Sequence, residues 1–222
     1  MAVLSEGTAT PLKGIRRVAS RRMVQAWAAP AFSLSIDVDM TRPIADAKAL
    51  PGVTVTDLIL AACARALIAV PELNAHFADE VITAFPEVNI ALAVATDAGL
   101  TVPVVHGVES LSLDGIAGRR RDIVVRARAN ALTTADYEGA TFTVSNLGML
   151  GIDRFAAILN PPAVAILAVG SSKPTVTVVE DSIAIRPMAA FTLTCDHRAV
   201  DGAAGAAFLA ALRRELAATI TG

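Results

Sequence analysis

Asp196, His197, Arg198 and Asp201 fall within six residues, in the stretch TCDHRAVDGAAGAAF. Imidazole is the side chain best matched to proton transfer near neutral pH. A thiol nucleophile has a pKa near ~8.5 and is mostly protonated at pH 7. A neutral His197 beside such a thiol can take its proton as sulfur attacks a carbonyl. Asp201, one turn further on, can salt-bridge the loop or orient the imidazole. Arg16, Arg17, Arg21, Arg22 and Arg198 are its candidate partners. Gly202 and Gly205 permit close packing of the helix that follows. Two other readings stay open at this point: a structural histidine at a strand end, and a metal site using Asp196, His197 and Asp201. The metal reading lacks a second histidine or a paired cysteine at ligand spacing, so no metal is expected. His76 and His106 have no such neighbours and read as structural or surface residues.

The second candidate lies in TFTVSNLGML. Ser145 ends an uncharged run, before Asn146 and a turn at Gly148. A hydroxyl there can donate to a developing oxyanion, or it can satisfy its own backbone. GxSxG is absent, so this is not a nucleophile elbow.

Regular elements must hold both stretches. FSLSIDVDM alternates with period two, setting Phe32, Leu34, Ile36 and Val38 against Ser33, Ser35, Asp37 and Asp39. PLKGIRRVASRRMVQAW has helical spacing. TVTDLILAACARALIAV opens on a capping-box pair, Thr54 and Asp57, and predicts a buried helix. VNIALAVATDAGLTVPVV reads as two strands joined at 97–99. Residues 112–130 read as a basic helix. ATFTVS and AVAILAVGSS read as central strands. TVTVVEDSIAIRPMAAFTLTC predicts a hairpin turning near Asp181. A last helix aligns Phe208, Leu209, Leu212 and Leu216 on one face. The order predicts one α/β domain with a mixed sheet and helices packed against it.

Net charge is −2, which gives no electrostatic case for nucleic acid or an anionic membrane. The uncharged stretch from Phe155 to Ser172 is interrupted by NPP, and reads as loop plus strand rather than a membrane span. Cys63 and Cys195 are far apart and suggest neither a disulfide framework nor a zinc site, which fits a reducing cytoplasm. MAVLSEGTAT lacks the pattern of a signal peptide. Hydrophobic residues make up 54% of the chain. That surplus fits subunit interfaces, or simply an alanine-rich sequence.

DHRAVDGAAGAAFL resembles the DHRxxDGA signature of the dihydrolipoamide acyltransferases, the core components of 2-oxo acid dehydrogenase complexes. The resemblance continues through PLKGIRRVASRRM, PELNA, GLTVPVV, TFTVSNLGMLG and PPAVAILAVG, in the family's order. It divides the chain into a linker remnant, 1–10, and a catalytic domain, 11–222. It implies a chloramphenicol acetyltransferase-like two-layer α/β sandwich, a homotrimer and a larger cage. It implies acyl transfer between the lipoyl arm and coenzyme A, which enters as a substrate. The lipoyl group would come from a separate domain or chain, because Lys13, Lys48 and Lys173 do not sit at an acidic hairpin tip. By motif match His197 would be the general base, Ser145 the oxyanion donor and Asp201 the loop-ordering carboxylate. The resemblance also places the site at a subunit interface, with His197 and Ser145 from different chains. It implies a lipoyl domain and dehydrogenase-complex subunits as partners. The C-terminal ATITG is polar where family members often end on an apolar tail. Two other functions are weighed: a non-catalytic scaffold, against which His197 and Ser145 argue, and a stand-alone acetyltransferase acting on a small alcohol.

Overall fold

The computed structural model describes residues 8–97 and 99–218. Most of the expected linker remnant, and most of ATITG, lie outside the described residues. In chain order the elements are α1 (Gly14–Trp27), β1 (Ala31–Asp39), α2 (Thr41–Ala49), α3 (Val55–Ala69), β2 (Ala75–Ala78), β3 (Val81–Ala84), β4 (Ile90–Leu92), β5 (Val94–Thr96), β6 (Gly99–Thr101), β7 (Val104–Val105), α4 (Leu113–Arg128), β8 (Phe142–Asn146), β9 (Ala165–Val169), β10 (Lys173–Val179), β11 (Ser182–Asp196) and α5 (Gly202–Ala217). A mixed sheet runs β1-β11-β9-β8-β4-β7, and β10 also pairs with β11. β8 is parallel to both neighbours, and the other pairings are antiparallel.

The two faces of this sheet differ because strand side chains alternate. On one face Phe32, Leu34, Ile36 and Val38 pair with Cys195, Leu193, Phe191 and Ala189. These residues join α3 and α5 in the main core. Helix α3 starts at the expected capping box, with the Asp57 carboxylate accepting from the Thr54 N–H at 2.8 Å. Asp57 also takes a two-point ion pair from Arg120, which ties α4 to α3. Helix α5 buries Phe208, Leu209, Leu212 and Leu216, as its periodicity predicts. A Cβ on Gly205 would stand 2.7 Å from Leu34 Cδ1, so α5 approaches β1 closely at this glycine, and a side chain there would have to displace Leu34. Gly202 has open space around it and contributes no such packing.

The opposite face carries hydroxyls. Ser33 and Ser35 hydrogen-bond Thr194 and Thr192 at 3.0 and 2.8 Å. Through the pairing, the row Ser35–Thr192–Ala168 ends at Ser145. Leu159 and Ala26 cover Ile166 on this side.

Three features depart from the sequence reading. Helix α2 and the β2–β3 hairpin were not foreseen. The 90–105 region holds four short strands, not two. Leu92 N–H donates to Pro103 while Ala93 N–H donates to Val144, and Pro103 has no N–H to continue the ladder. Beyond Met188 the β10–β11 pair runs on as a two-stranded ribbon, turning at Glu180 and Asp181, both at positive φ. Val176 faces Ile185 and Val178 faces Ile183, and all four are about 70–80% exposed.

Candidate active site

β11 ends at Asp196, and His197 begins the turn that leads into α5. His197 is exposed, its N–H donates to the Pro30 carbonyl at 3.0 Å, and its ring meets the Phe32 ring at 4.5 Å. It lines a cleft of about 630 Å³ with Ala69, Glu72, Asp201, Ala203 and Ala207. Beside it Asp196 is buried, and Arg198 grips its carboxylate through Nε at 2.9 Å and Nη2 at 2.6 Å. Burial alone pushes the Asp196 carboxyl up, but the side-chain and backbone hydrogen bonds from Arg198, with its charge, hold it below its ordinary value. The guanidinium also lies 4.3 Å over the Phe77 ring.

One of the five arginines expected as partners of Asp201 is therefore taken. Arg198 binds Asp196, and among the described residues no arginine pairs with Asp201. Asp201 is instead the N-cap of α5, accepting from the Ala204 N–H at 2.9 Å. A carboxylate suits that place, since the first helical N–H groups lack intrahelical partners.

Ser145 sits near the end of β8, half-buried, on the hydroxyl-bearing face. Among the described residues no hydrogen bond occupies its hydroxyl. Asn146 fixes the turn behind it: its Oδ1 accepts from the Gly148 N–H at 2.9 Å and its Nδ2 donates to Thr56 at 3.3 Å. Two glycines are required there by space. A Cβ on Gly148 would lie 2.6 Å from the Gly170 carbonyl oxygen, and one on Gly170 would lie 2.0 Å from that of Asp153.

The register keeps the two candidates apart. Cys195 pairs with Ala165, and Ser145 with Ala168. His197 continues away from that level, so five residue steps separate the two, or about 16 Å along the strands. Two strand spacings of about 4.8 Å add to this sideways. The side chains also belong to different faces: His197 stands against Phe32 on the helix side, and Ser145 opens on the other. One chain does not bring them together.

Sequence reasoning placed the turn at Gly148 but missed the Asp196–Arg198 pair on Phe77, the Asn146 hydrogen bonds that fix that turn, and Gly170. The first was hidden because Asp201 competed for the same arginine. His76 donates through Nε2 to the Ala140 carbonyl at 2.7 Å and packs edge-on against Phe85. Among the described residues no group of three or more histidine, cysteine or acidic side chains is placed to hold a metal ion.

The family profile described as 2-oxoacid dehydrogenases acyltransferase (catalytic domain) matches residues 5–221. The chain belongs to this acyltransferase family. A Rickettsia bellii relative, the dihydrolipoyllysine-residue acetyltransferase component of a pyruvate dehydrogenase complex, is 37% identical over 92% of the chain. The acyltransferase chain here spans about half the length of the curated relatives it matches; for that one the share is 51%. Among solved structures, the Azotobacter vinelandii dihydrolipoamide acetyltransferase has a TM-score of 0.88 and 32% identity, over 96% of this chain and 92% of that one. Its structural study concerned the role of a serine, a histidine and an asparagine in the catalytic mechanism. Those three stand 52 and then 4 positions apart, as do Ser145, His197 and Asp201. The cubic core of a pyruvate dehydrogenase multienzyme complex matches at TM-score 0.88 and 31% identity, covering 96% of this chain and 92% of that one. A chloramphenicol acetyltransferase matches at TM-score 0.61 and 16% identity, over 88% of this chain and 94% of that one, a likeness of fold alone.

Proposed function

We propose that this acyltransferase domain moves an acyl group between a dihydrolipoyl thiol and coenzyme A, at a site shared by two copies of the chain. The observation that carries the reading is the separation of Ser145 and His197. Each is open at its own end of the sheet, and each is held by a local framework, yet they face apart within one chain. A neighbouring copy that brings its serine to this histidine completes the pair. The spacing shared with the serine, histidine and asparagine of the Azotobacter enzyme supports the same assignment.

The chemistry balances without any other group. His197 takes the proton of the attacking thiol as its sulfur bonds to the thioester carbon. The carbonyl oxygen becomes an oxyanion, to which the Ser145 hydroxyl of the other copy donates. Collapse breaks the bond to the departing sulfur, which receives the proton back from the imidazolium. Asp201 acts as the cap that starts α5 behind the histidine turn. That an asparagine occurs at this spacing in a relative fits capping, which both side chains perform.

The assembly we propose is a homotrimer that builds a larger core, as the match to a cubic core supports. Its partners would be a lipoyl domain, delivering the acyl group, and the other subunits of the dehydrogenase complex. Cys63 and Cys195 are buried free thiols, and burial pushes Cys195 up to about 12. This fits a reducing compartment, and we assign the cytoplasm.

Mixing tests the shared site. His197→Ala chains are co-refolded in equal amounts with Ser145→Ala chains, and transfer from acetyl-coenzyme A to dihydrolipoamide is measured. In a ring with random mixing, about a quarter of interfaces receive both intact residues, so activity rises toward about a quarter of native. Activity that stays at the parental average, with subunit exchange confirmed by mass, places both residues in one chain and ends the proposal. The same assay with succinyl- and isobutyryl-coenzyme A identifies the acyl group.

A further inference from the structure

The aim of His197 is not set by its own ring. Among the described residues nothing hydrogen-bonds the imidazole, and its ring neighbour is Phe32. The ring therefore points where its backbone turn points. That turn is fastened to Asp196 from several sides. Asp196 N–H donates to Val164 at 2.9 Å, and the Asp196 carbonyl accepts from Ala199 and Val200, each at 3.0 Å. Its carboxylate accepts from the Arg198 N–H at 3.1 Å.

A carboxylate only 5% exposed needs a counter-charge to stay in that position. Arg198 supplies it in a two-point fork, the geometry that lysine cannot reproduce. The guanidinium in turn lies over the ring of Phe77 in β2. Phe77 N–H donates to the Pro162 carbonyl at 2.9 Å, two residues before Val164. The contacts thus close a circuit through Val164, Asp196, Arg198, Phe77 and Pro162, with His197 carried on one side of it.

We infer that Arg198 is a positioning residue for His197, acting through Asp196 and seated on Phe77. The inference rests on the reading of His197 as general base. It gives the β2–β3 hairpin a part in the site: β2 holds the ring over which the guanidinium lies. Three charged groups line the cleft with His197: Arg198 and Asp201 from its own loop, and Glu72 from across it; Asp196, next in sequence, is buried. Removing the Arg198 charge takes a cation from the cleft that the imidazole lines, which favours the imidazolium and raises the pH at which His197 titrates.

Three variants test this: Arg198→Met, Arg198→Lys and Phe77→Leu. Each is assayed for kcat and KM across pH, and His197 is titrated by NMR, a readout that does not require turnover. Arg198→Met should lower kcat by about 10-fold or more, with KM changed less than about twofold, because misplaced reacting groups lose rate rather than binding. Its His197 titration should move to higher pH. Arg198→Lys should return the titration to its native position while recovering only part of kcat. Phe77→Leu should lower kcat by about 2- to 5-fold, the scale of one exposed cation–π contact, with the titration in place.

An arginine that only solvates Asp196 would change the melting temperature and leave kcat and the titration alone. That result in Arg198→Met overturns the inference. Should Arg198→Met fail to fold, native kcat in both Arg198→Lys and Phe77→Leu overturns it instead. Should the native domain show no transfer, the functional proposal falls alone, and the NMR titrations still decide whether Arg198 governs His197.

Discussion

The histidine end and the serine end of the sheet are held by opposite means. At His197 the chain is tied by charge: a buried carboxylate, a guanidinium fork and an aromatic ring beneath it. At Ser145 it is tied by the absence of side chains, with Gly148 and Gly170 letting backbone meet backbone. Electrostatic fastening depends on the charges and on the fork that joins them. Steric fastening tolerates no added atom but is indifferent to charge. Two halves of one proposed reaction therefore respond to different kinds of substitution.

The largest effects remove the reacting groups. His197→Ala should lower kcat by about 10² to 10⁴ with assembly intact by light scattering. Ser145→Ala should lower kcat by about 10² to 10³ with little change in KM, since an oxyanion exists only along the reaction path. A pure KM effect would make Ser145 a binding residue.

Next come the glycines, which sharpen the contrast between the ends. Gly170→Ala should cost about 3 kcal/mol, as overpacking against rigid backbone does, and lower the melting temperature by roughly 6–12 °C. Gly202→Ala, at the histidine end, has open space and should melt within about 2 °C of the native domain. Calorimetry on both variants checks the pair; equal melting would mean that Gly170 is not the steric lock described here.

The smallest effect concerns Asp201. If it serves as a cap, Asp201→Asn should keep both activity and melting temperature, while Asp201→Ala should lose about 1 kcal/mol. A large activity loss in Asp201→Asn would return the negative charge to the mechanism.

Much of the scaffold was legible because its signals are local. The period-two alternation of 32–39, the capping box at Thr54 and Asp57 and the stripe of α5 each fix an element without knowledge of the rest. The hairpin turn near Asp181 is likewise written into the chain beside it. What stayed hidden depends on distant neighbours. Gly170 is an ordinary glycine until the Asp153 carbonyl is placed 2.0 Å from its missing Cβ. Arg198 had two acidic residues within reach in sequence, and only the buried position of Asp196 decides between them. Helix α2 carries Pro43 in its first turn, and just before it the Asp39 carboxylate accepts from the Thr41 N–H at 2.8 Å. A proline in the first turn is compatible with a helix start, and the sequence reading passed over this segment.

The β10–β11 ribbon has a further consequence. Its segments TVTVV and SIAI are the kind of short, uncharged, β-branched windows that seed aggregation when a strand edge is bare. The chain fences them at both ends. Pro174 and Pro187 face each other across the base, so neither offers an N–H to an incoming strand there. Lys173 and Arg186 stand beside these prolines, and Glu180 and Asp181 occupy the tip. The stretch between is left apolar, and its flanks carry the residues that keep stray strands from adding on.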